Sequence, residues 1–322
     1  MAKANDVLLR PIFIGAPHDH PEAPFIVMVP LRPPTVASPP AIYFDDTGCN
    51  ANASPTFMWA GYIAPRMFWV RFGRAWNRLL ARAPRIPYWH QTDMRNRCRR
   101  QRPGKFHHYS DLEVACREAL LCKLLHTNRS RFSAFAIKID HADLAAHVTN
   151  KIRTAQCWNE HERDVIRPKM LESPRLIALL HAAKIVAEIL PKEADSRMPV
   201  SIHCEAVKDD PFQDYMQRIW KVVCDHEIEL ARKRGESPPL GSLSFPPGKT
   251  TEAPQLQAAD MLAWHLNFRA VHPSAADDPN WEFVTGLGLS EFKVSVDQLQ
   301  DHVRLWSRVR LKPPERRLWY PS

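Results

Sequence analysis

The stretch IYFDDTG, Ile42 to Gly48, closes a short apolar run with a turn, and the turn sequence DTGCNANASP leads into a second apolar run from Thr56 to Ile63. Two apolar runs separated by Gly, Asn, Asp and Pro read as a hairpin of two strands. Strand side chains alternate between faces, so of the neighbours Asp45 and Asp46 only one points into a given site. Asp45, which ends the run AIYFD, is the candidate.

Outward from the hairpin the periodicity changes. Trp69, Phe72, Trp76 and Leu79 or Leu80 recur at intervals of three and four, which predicts a helix from about Pro65 to Ala83 with Arg71, Arg74, Arg78 and Arg82 on another stripe. A short strand over Ile86 to Trp89 and a basic loop follow, and Ser110 with Glu113 forms a capping box that opens a helix to about His126. Phe132 to Ile139 reads as a strand, and two helical stretches fill the interval to Leu190, the second starting near Pro174. Pro199 to Cys204 is a strand ending at Glu205, Phe212 to Arg234 a helix stopped by Gly235, Leu240 to Phe245 a short strand, and Pro254 to Arg269 a helix with an apolar face. A hairpin followed by alternating helices and strands predicts an α/β fold, a mixed β-sheet flanked by helices. Residues 1–40 hold nine prolines and read as an irregular arm, 41–270 as one domain, and 271–322 as a C-terminal extension packed on it.

Charge narrows the partners. The 322 residues carry 44 Lys and Arg against 35 Asp and Glu, a net +9. Between Arg66 and Lys105 there are twelve basic residues and one acid, Asp93, so this segment holds +11 and the rest of the chain only −2. The cluster is densest at Arg95, Arg97, Arg99, Arg100, Arg102 and Lys105, which suits a polyphosphate such as nucleic acid; the competing reading is a solvated helix face with a basic loop. No apolar run reaches the roughly 18 residues of a membrane span, and no secretory leader is evident. Seven scattered cysteines without a C-x-x-C pair fit reduced thiols, so a cytoplasmic protein is expected. GKTT, Gly248 to Thr251, lacks the earlier glycine of a phosphate-binding loop, Leu243 standing there, and no serine-hydrolase, zincin or dinucleotide motif occurs. His18, His20 and Glu22 hold ligand chemistry, but in a Pro-rich arm they read as linker.

Three acids stand where burial is expected: Asp45 and Glu205 at strand ends, and Asp260 in APQLQAADMLAWHL, where Leu256, Ala259 and Ala263 share its helical face. A buried carboxylate needs a cation, a metal or a proton. Carboxylates from strand ends and from a helix across the same sheet suit Mg²⁺ or Mn²⁺, and a pair of such ions serves phosphodiester hydrolysis. Asp209 and Asp210, in the turn after Glu205, are alternatives to it. His90, at a strand end, has the chemistry of a general base or a ligand, against the commoner role of a hydrogen-bonded structural residue.

IYFDDTG, FMWAGYIAP, WHQTDM (Trp89 to Met94), SIHCEAVKDD (Ser201 to Asp210) and PQLQAADMLAWHLNFR (Pro254 to Arg269) resemble the family known as domain of unknown function 3800, over about Ile42 to Arg269. That family is similar to the ribonuclease H-like superfamily, whose mixed sheet carries carboxylate-held divalent metals. The resemblance implies that Asp45, Glu205 and Asp260 are the acidic positions, that His90 and Asp93 match a further polar motif, that Gln257 is the glutamine of the late helix, and that Lys249 is the basic residue before it. Asp46 and Thr47 replace the usual Glu and Ser, and Glu205 stands where Asp is more typical. The expected activity is a divalent-metal-dependent phosphodiesterase acting on DNA or RNA. The alternative is a non-catalytic nucleic-acid- or protein-binding module that keeps the fold.

Overall fold

A computed structural model of the protein describes residues 38–96, 104–150, 172–189, 198–206, 212–248, 250–273, 280–286 and 288–308. The Pro-rich arm up to residue 37, with His18, His20 and Glu22, lies outside them, as do Arg97, Arg99, Arg100, Arg102, Asp209, Asp210, Lys249 and much of the first helical stretch expected before Leu190.

β1 (Pro40–Thr47) and β2 (Thr56–Pro65) pair antiparallel as the apolar runs imply, and β3 (Ser133–Asp140) continues the meander antiparallel to β2. On the other side of β1 lies β4 (Val200–Cys204), parallel to it, and then β5 (Leu240–Ser244), parallel to β4. β6 (Leu289–Lys293) joins the far edge parallel to β3, so the sheet of order β5-β4-β1-β2-β3-β6 takes a strand from beyond residue 270.

The period of two along β1 sorts its side chains into two cores. Ile42 and Phe44 enter one, with α5 (Pro174–Ile189) and residues of α6 (Phe212–Arg234); Ala41 and Tyr43 enter the other, with α1 (Arg66–Leu80), α3 (Asp111–Thr127) and α7 (Pro254–Val271). α7 is buried nearly all round, Leu256 through Ala263 being without an exposed position, which makes it the central helix of that face. Its polar residues Gln257, Asp260 and His265 therefore lie inside the protein.

The strand expected at Ile86 to Trp89 is instead a loop, and the reason is where its backbone groups go. Ile86 N–H bonds the Leu80 carbonyl at 2.9 Å, Trp89 N–H bonds a side chain of α7, and Pro87 has no N–H. The buried Arg117 of α3 donates to the carbonyls of Leu79, Leu80, Arg82 and Pro84, satisfying the open end of α1 and the chain beyond it. The N–H groups of Ile86 and Trp89 are thus not available to a ladder.

The capping box is formed: Ser110 Oγ accepts from Glu113 N–H at 3.2 Å, and Glu113 Oε2 accepts from Ser110 N–H at 2.7 Å. Ser110→Ala should lower stability by about 1 kcal/mol, read as a shift of the urea midpoint at unchanged slope.

Candidate carboxylate site

The parallel pair β1 and β4 ends at one edge of the sheet with Phe44 beside Cys204, which places Asp45 and Glu205 next in line on neighbouring strands. Alternation sends both toward the α7 side. Asp45 is 5% exposed and accepts a hydrogen bond from Asp46 N–H at 2.9 Å. Asp46 points to the opposite face, where Arg175 of α5 lies 2.6 Å from Oδ1 and Cys49 Sγ donates to Oδ2 at 2.6 Å. Strand alternation thus separates the two acids as the sequence pattern requires.

Burial pushes Asp45 well above the usual carboxylate range, and the charges of Asp260, Asp46 and Glu205 push it the same way, opposed by the Asp46 N–H. Three same-face carboxylates, Asp45, Glu205 and Asp260, therefore come within electrostatic reach of one another. Glu205 is half-buried and packed on Gly248, where a Cβ would meet its Oε1 at 2.7 Å, so the glycine leaves room for that carboxylate. Among the described residues no three His, Cys, Asp or Glu side chains stand close enough together to hold one metal ion.

α7 also positions His90. Gln257 Oε1 accepts from Trp89 N–H at 2.8 Å, and Asp260 Oδ2, one turn further on, accepts from Gln91 N–H at 2.6 Å. The two bonds bracket His90, which caps α2 (Gln91–Arg95) and directs Nε2 toward Asp260 Oδ1 at 3.9 Å. His90 Nδ1 faces Asp93 Oδ2 at 3.1 Å and Asp93 N–H at 3.3 Å. A single nitrogen does not donate to one and accept from the other at once. The Asp93 N–H donates to Nδ1, the bond by which His90 caps α2, and each ring nitrogen also faces a carboxylate oxygen. Asp93 thus orients His90 through its backbone N–H, with its carboxylate beside the same nitrogen.

Gln257 itself is 1% exposed and structural: besides Trp89 N–H, its Oε1 accepts from Trp76 Nε1 at 3.0 Å, while Nε2 donates to the Thr250 carbonyl at 2.6 Å. Arg95 does not stand free for phosphate. Its Nη2 donates to both oxygens of the buried Glu118, at 2.7 and 3.0 Å, and its guanidinium lies 5.0 Å from the Trp264 ring. Lys105 is exposed and donates to Tyr88 Oη at 3.3 Å.

Glu118 is the residue that sequence reasoning missed. Burial acts to raise it, but neighbouring His265, Arg95 and Gln91 together hold its carboxyl below the usual range. Gln91 Nε2 donates to its Oε1 at 2.7 Å, and Trp89 Nε1 donates to Gln91 Oε1 at 2.6 Å. The signal was present: Val114, Glu118, Leu121, Cys122 and Leu125 form one buried helical stripe, the same criterion that selects Asp260.

No family model matches the chain, and no curated protein matches it. Among solved structures, a chain of the complex of PCNA and RNase HII from Archaeoglobus fulgidus is similar, at 12% identity over 85% of this chain and 94% of that one, with a TM-score of 0.30. By its own strand order and directions the protein is an α/β protein, a six-stranded mixed sheet flanked by helices, of ribonuclease H-like type. No helix among the described residues is long and apolar enough to cross a membrane.

Proposed function

We propose that this chain is a divalent-metal-dependent phosphodiesterase acting on DNA or RNA through Asp45, Glu205 and Asp260. The observation that carries the proposal is the placement of the buried Asp45 and of Glu205 on neighbouring parallel strand ends facing α7, where the charges of Glu205 and Asp260 act on Asp45. A fold does not hold such a group unless protons or a cation relieve it. The donor set is all oxygen, with one imidazole beside it, and fits Mg²⁺ or Mn²⁺ rather than a thiolate-seeking metal. Asp45, Glu205 and Asp260 would hold the ion. When bound it supplies Lewis acidity toward a phosphoryl oxygen and a more acidic water.

The chain's own groups have separate tasks. Asp260 is fixed through its Oδ2 by the Gln91 N–H, which leaves Oδ1 on the side of His90. His90, oriented by Asp93, presents Nε2 to take or return a proton at the reacting phosphodiester. In the chain the basic cluster follows the helix that His90 caps, and its charge favours a polyanionic substrate.

The competing reading is a binding module that keeps this fold without the chemistry, and the lack of three ready ligands among the described residues is what favours it. Incubation with single- and double-stranded DNA and RNA in Mn²⁺ or Mg²⁺ decides between them. Cleavage is expected from the wild type and not from Asp260→Asn, which retains an oxygen acceptor for Gln91 N–H. Equal cleavage by both proteins, or none by the wild type, removes the enzyme reading.

A further inference from the structure

Among the described residues some cations are paired with acids and others are not. Arg95, Arg175, Lys221, Lys233 and Lys293 each face a carboxylate within 2.7 Å. Arg66, Arg71, Arg74 and Arg78 on α1 are exposed, and none of them forms an ion pair among the described residues. Arg66, Arg74 and Arg78 share one row of the helix at multiples of four residues, and Val70, 40% exposed, fills the missing step. From first to last the row spans about 18 Å at 1.5 Å per residue.

Folding does not account for this row. Arg66 occupies the first turn, where the helix dipole is positive and no acid is present, so dipole and side chain repel. Arg74 and Arg78 are like charges one turn apart, and the Arg78 Nε reaches back to the Arg74 carbonyl at 3.3 Å. Arg66 against the dipole and the like-charged pair Arg74–Arg78 break two local rules, offset only by the place of Arg78 in the last turn, and so point to a ligand outside the chain.

The row is continuous with the carboxylate site. Tyr43 and His203 stack on the same face as Asp45 and Glu205, with ring centroids 4.5 Å apart and planes 17° apart. Each lies two residues before its acid, a step of about 6–7 Å along a strand. His203 Nδ1 is held by Ser244 Oγ at 2.6 Å, and the positive field of Arg66 falls on both rings. Acids, a half-buried aromatic pair and a cation row therefore follow one another along β1 and β4 on the α7 side and onto α1.

We propose that the Arg66–Arg74–Arg78 row of α1 is a docking track for a polynucleotide strand, whose backbone passes from the carboxylates over the Tyr43–His203 pair onto this helix. The track deepens the phosphodiesterase reading and rests on it for the direction of the strand. Phosphates are its natural occupants, because a row of unpaired guanidiniums matches repeating anions and the adjoining rings offer a stacking surface.

The test is fluorescence anisotropy of a labelled 20-nucleotide single-stranded DNA with the full chain, in EDTA, over a series of salt concentrations. The triple variant Arg66→Gln, Arg74→Gln, Arg78→Gln is expected to bind about tenfold or more weakly at 0.1 M salt. Its log–log salt slope should be shallower by about 2, the value for three phosphate contacts to a single strand. Its melting temperature should be unchanged or higher, since repulsion within α1 is removed. A control with the same loss of charge on α6, Lys221→Gln, Arg232→Gln and Lys233→Gln, should bind as the wild type does. Unchanged affinity and slope in the α1 variant, an equal loss in the control, or displacement of the DNA by poly-glutamate at equal charge would overturn the track. Row-dependent binding by a wild type that cleaves nothing leaves the track standing and removes the phosphodiesterase reading alone.

Discussion

Asp45→Asn is expected to abolish metal-dependent cleavage and, in metal-free buffer, to make the protein more stable. The loss of activity should be on the order of a thousandfold or more, since a catalytic ion contributes several kcal/mol at about 1.4 kcal/mol per factor of ten. The gain in stability follows from burial and from the three neighbouring carboxylates, which together hold Asp45 far above its ordinary range. An amide of the same shape removes that repulsion and still has an oxygen for the Asp46 N–H. A gain of about 1 kcal/mol is a typical size for relief of such a site, and it raises the melting temperature by about 1.5 °C in a chain of this length.

The pH dependence has a definite sign. A carboxyl whose folded pKa is raised costs stability wherever it ionises in the unfolded chain. The cost grows as pH rises above about 3.9, the unfolded value, and fades as pH falls back toward it. The difference in melting temperature between Asp45→Asn and wild type should therefore be largest near neutrality and shrink toward pH 4. Mn²⁺ should raise the melting temperature of the wild type and leave the variant unmoved, because only the wild type gains a binding term. A variant that melts lower than wild type at pH 7 without metal would mean that Asp45 is paired rather than repelled.

Gln257→Ala should cost about 4 kcal/mol, the largest loss of stability expected from a single change at the site. Both lone pairs of Oε1 are used, by Trp76 Nε1 and Trp89 N–H, and Nε2 serves the Thr250 carbonyl. Truncation leaves two donors and an acceptor without their partner in a place that is 1% exposed, each costing about 1–3 kcal/mol. A fall in melting temperature of about 6 °C would follow. The same change frees the segment around His90, so hydrogen exchange at the Trp89 and Gln91 amides should accelerate together and cleavage should fall with it. A loss below about 1 kcal/mol would show that the orphaned groups find other partners.

These two residues also mark how far the sequence can be read. Asp45 was legible because a period of two leaves no choice: Asp46 must face α5 if Asp45 faces α7, and Arg175 confirms the division. Asp260 was legible because Leu256, Ala259 and Ala263 force its face inward. The capping box of Ser110 and Glu113 and the stop at Gly235, whose φ is +67°, were legible for the same reason: local backbone chemistry determines them.

The role of Gln257 was not legible, nor was the loss of the strand expected at Ile86 to Trp89. Both depend on partners about 170 residues away, such as the Trp89 N–H that meets Gln257. Arg95 belongs to the same group: in sequence it opens the densest basic run, yet Glu118, 23 residues on, binds it in two places.

The sequence by itself determined the hairpin and most of the later strands and helices, the side to which each acid turns, and where the positive charge is stored, because periodicity, capping and composition act over a few residues. Only the tertiary structure decided which cations remain unpaired, which polar side chains serve as buried fasteners, and that Asp45, Glu205 and Asp260 repel one another. Those outcomes depend on through-space distance and on exclusion of water, and neither exists until the sheet and α7 have packed.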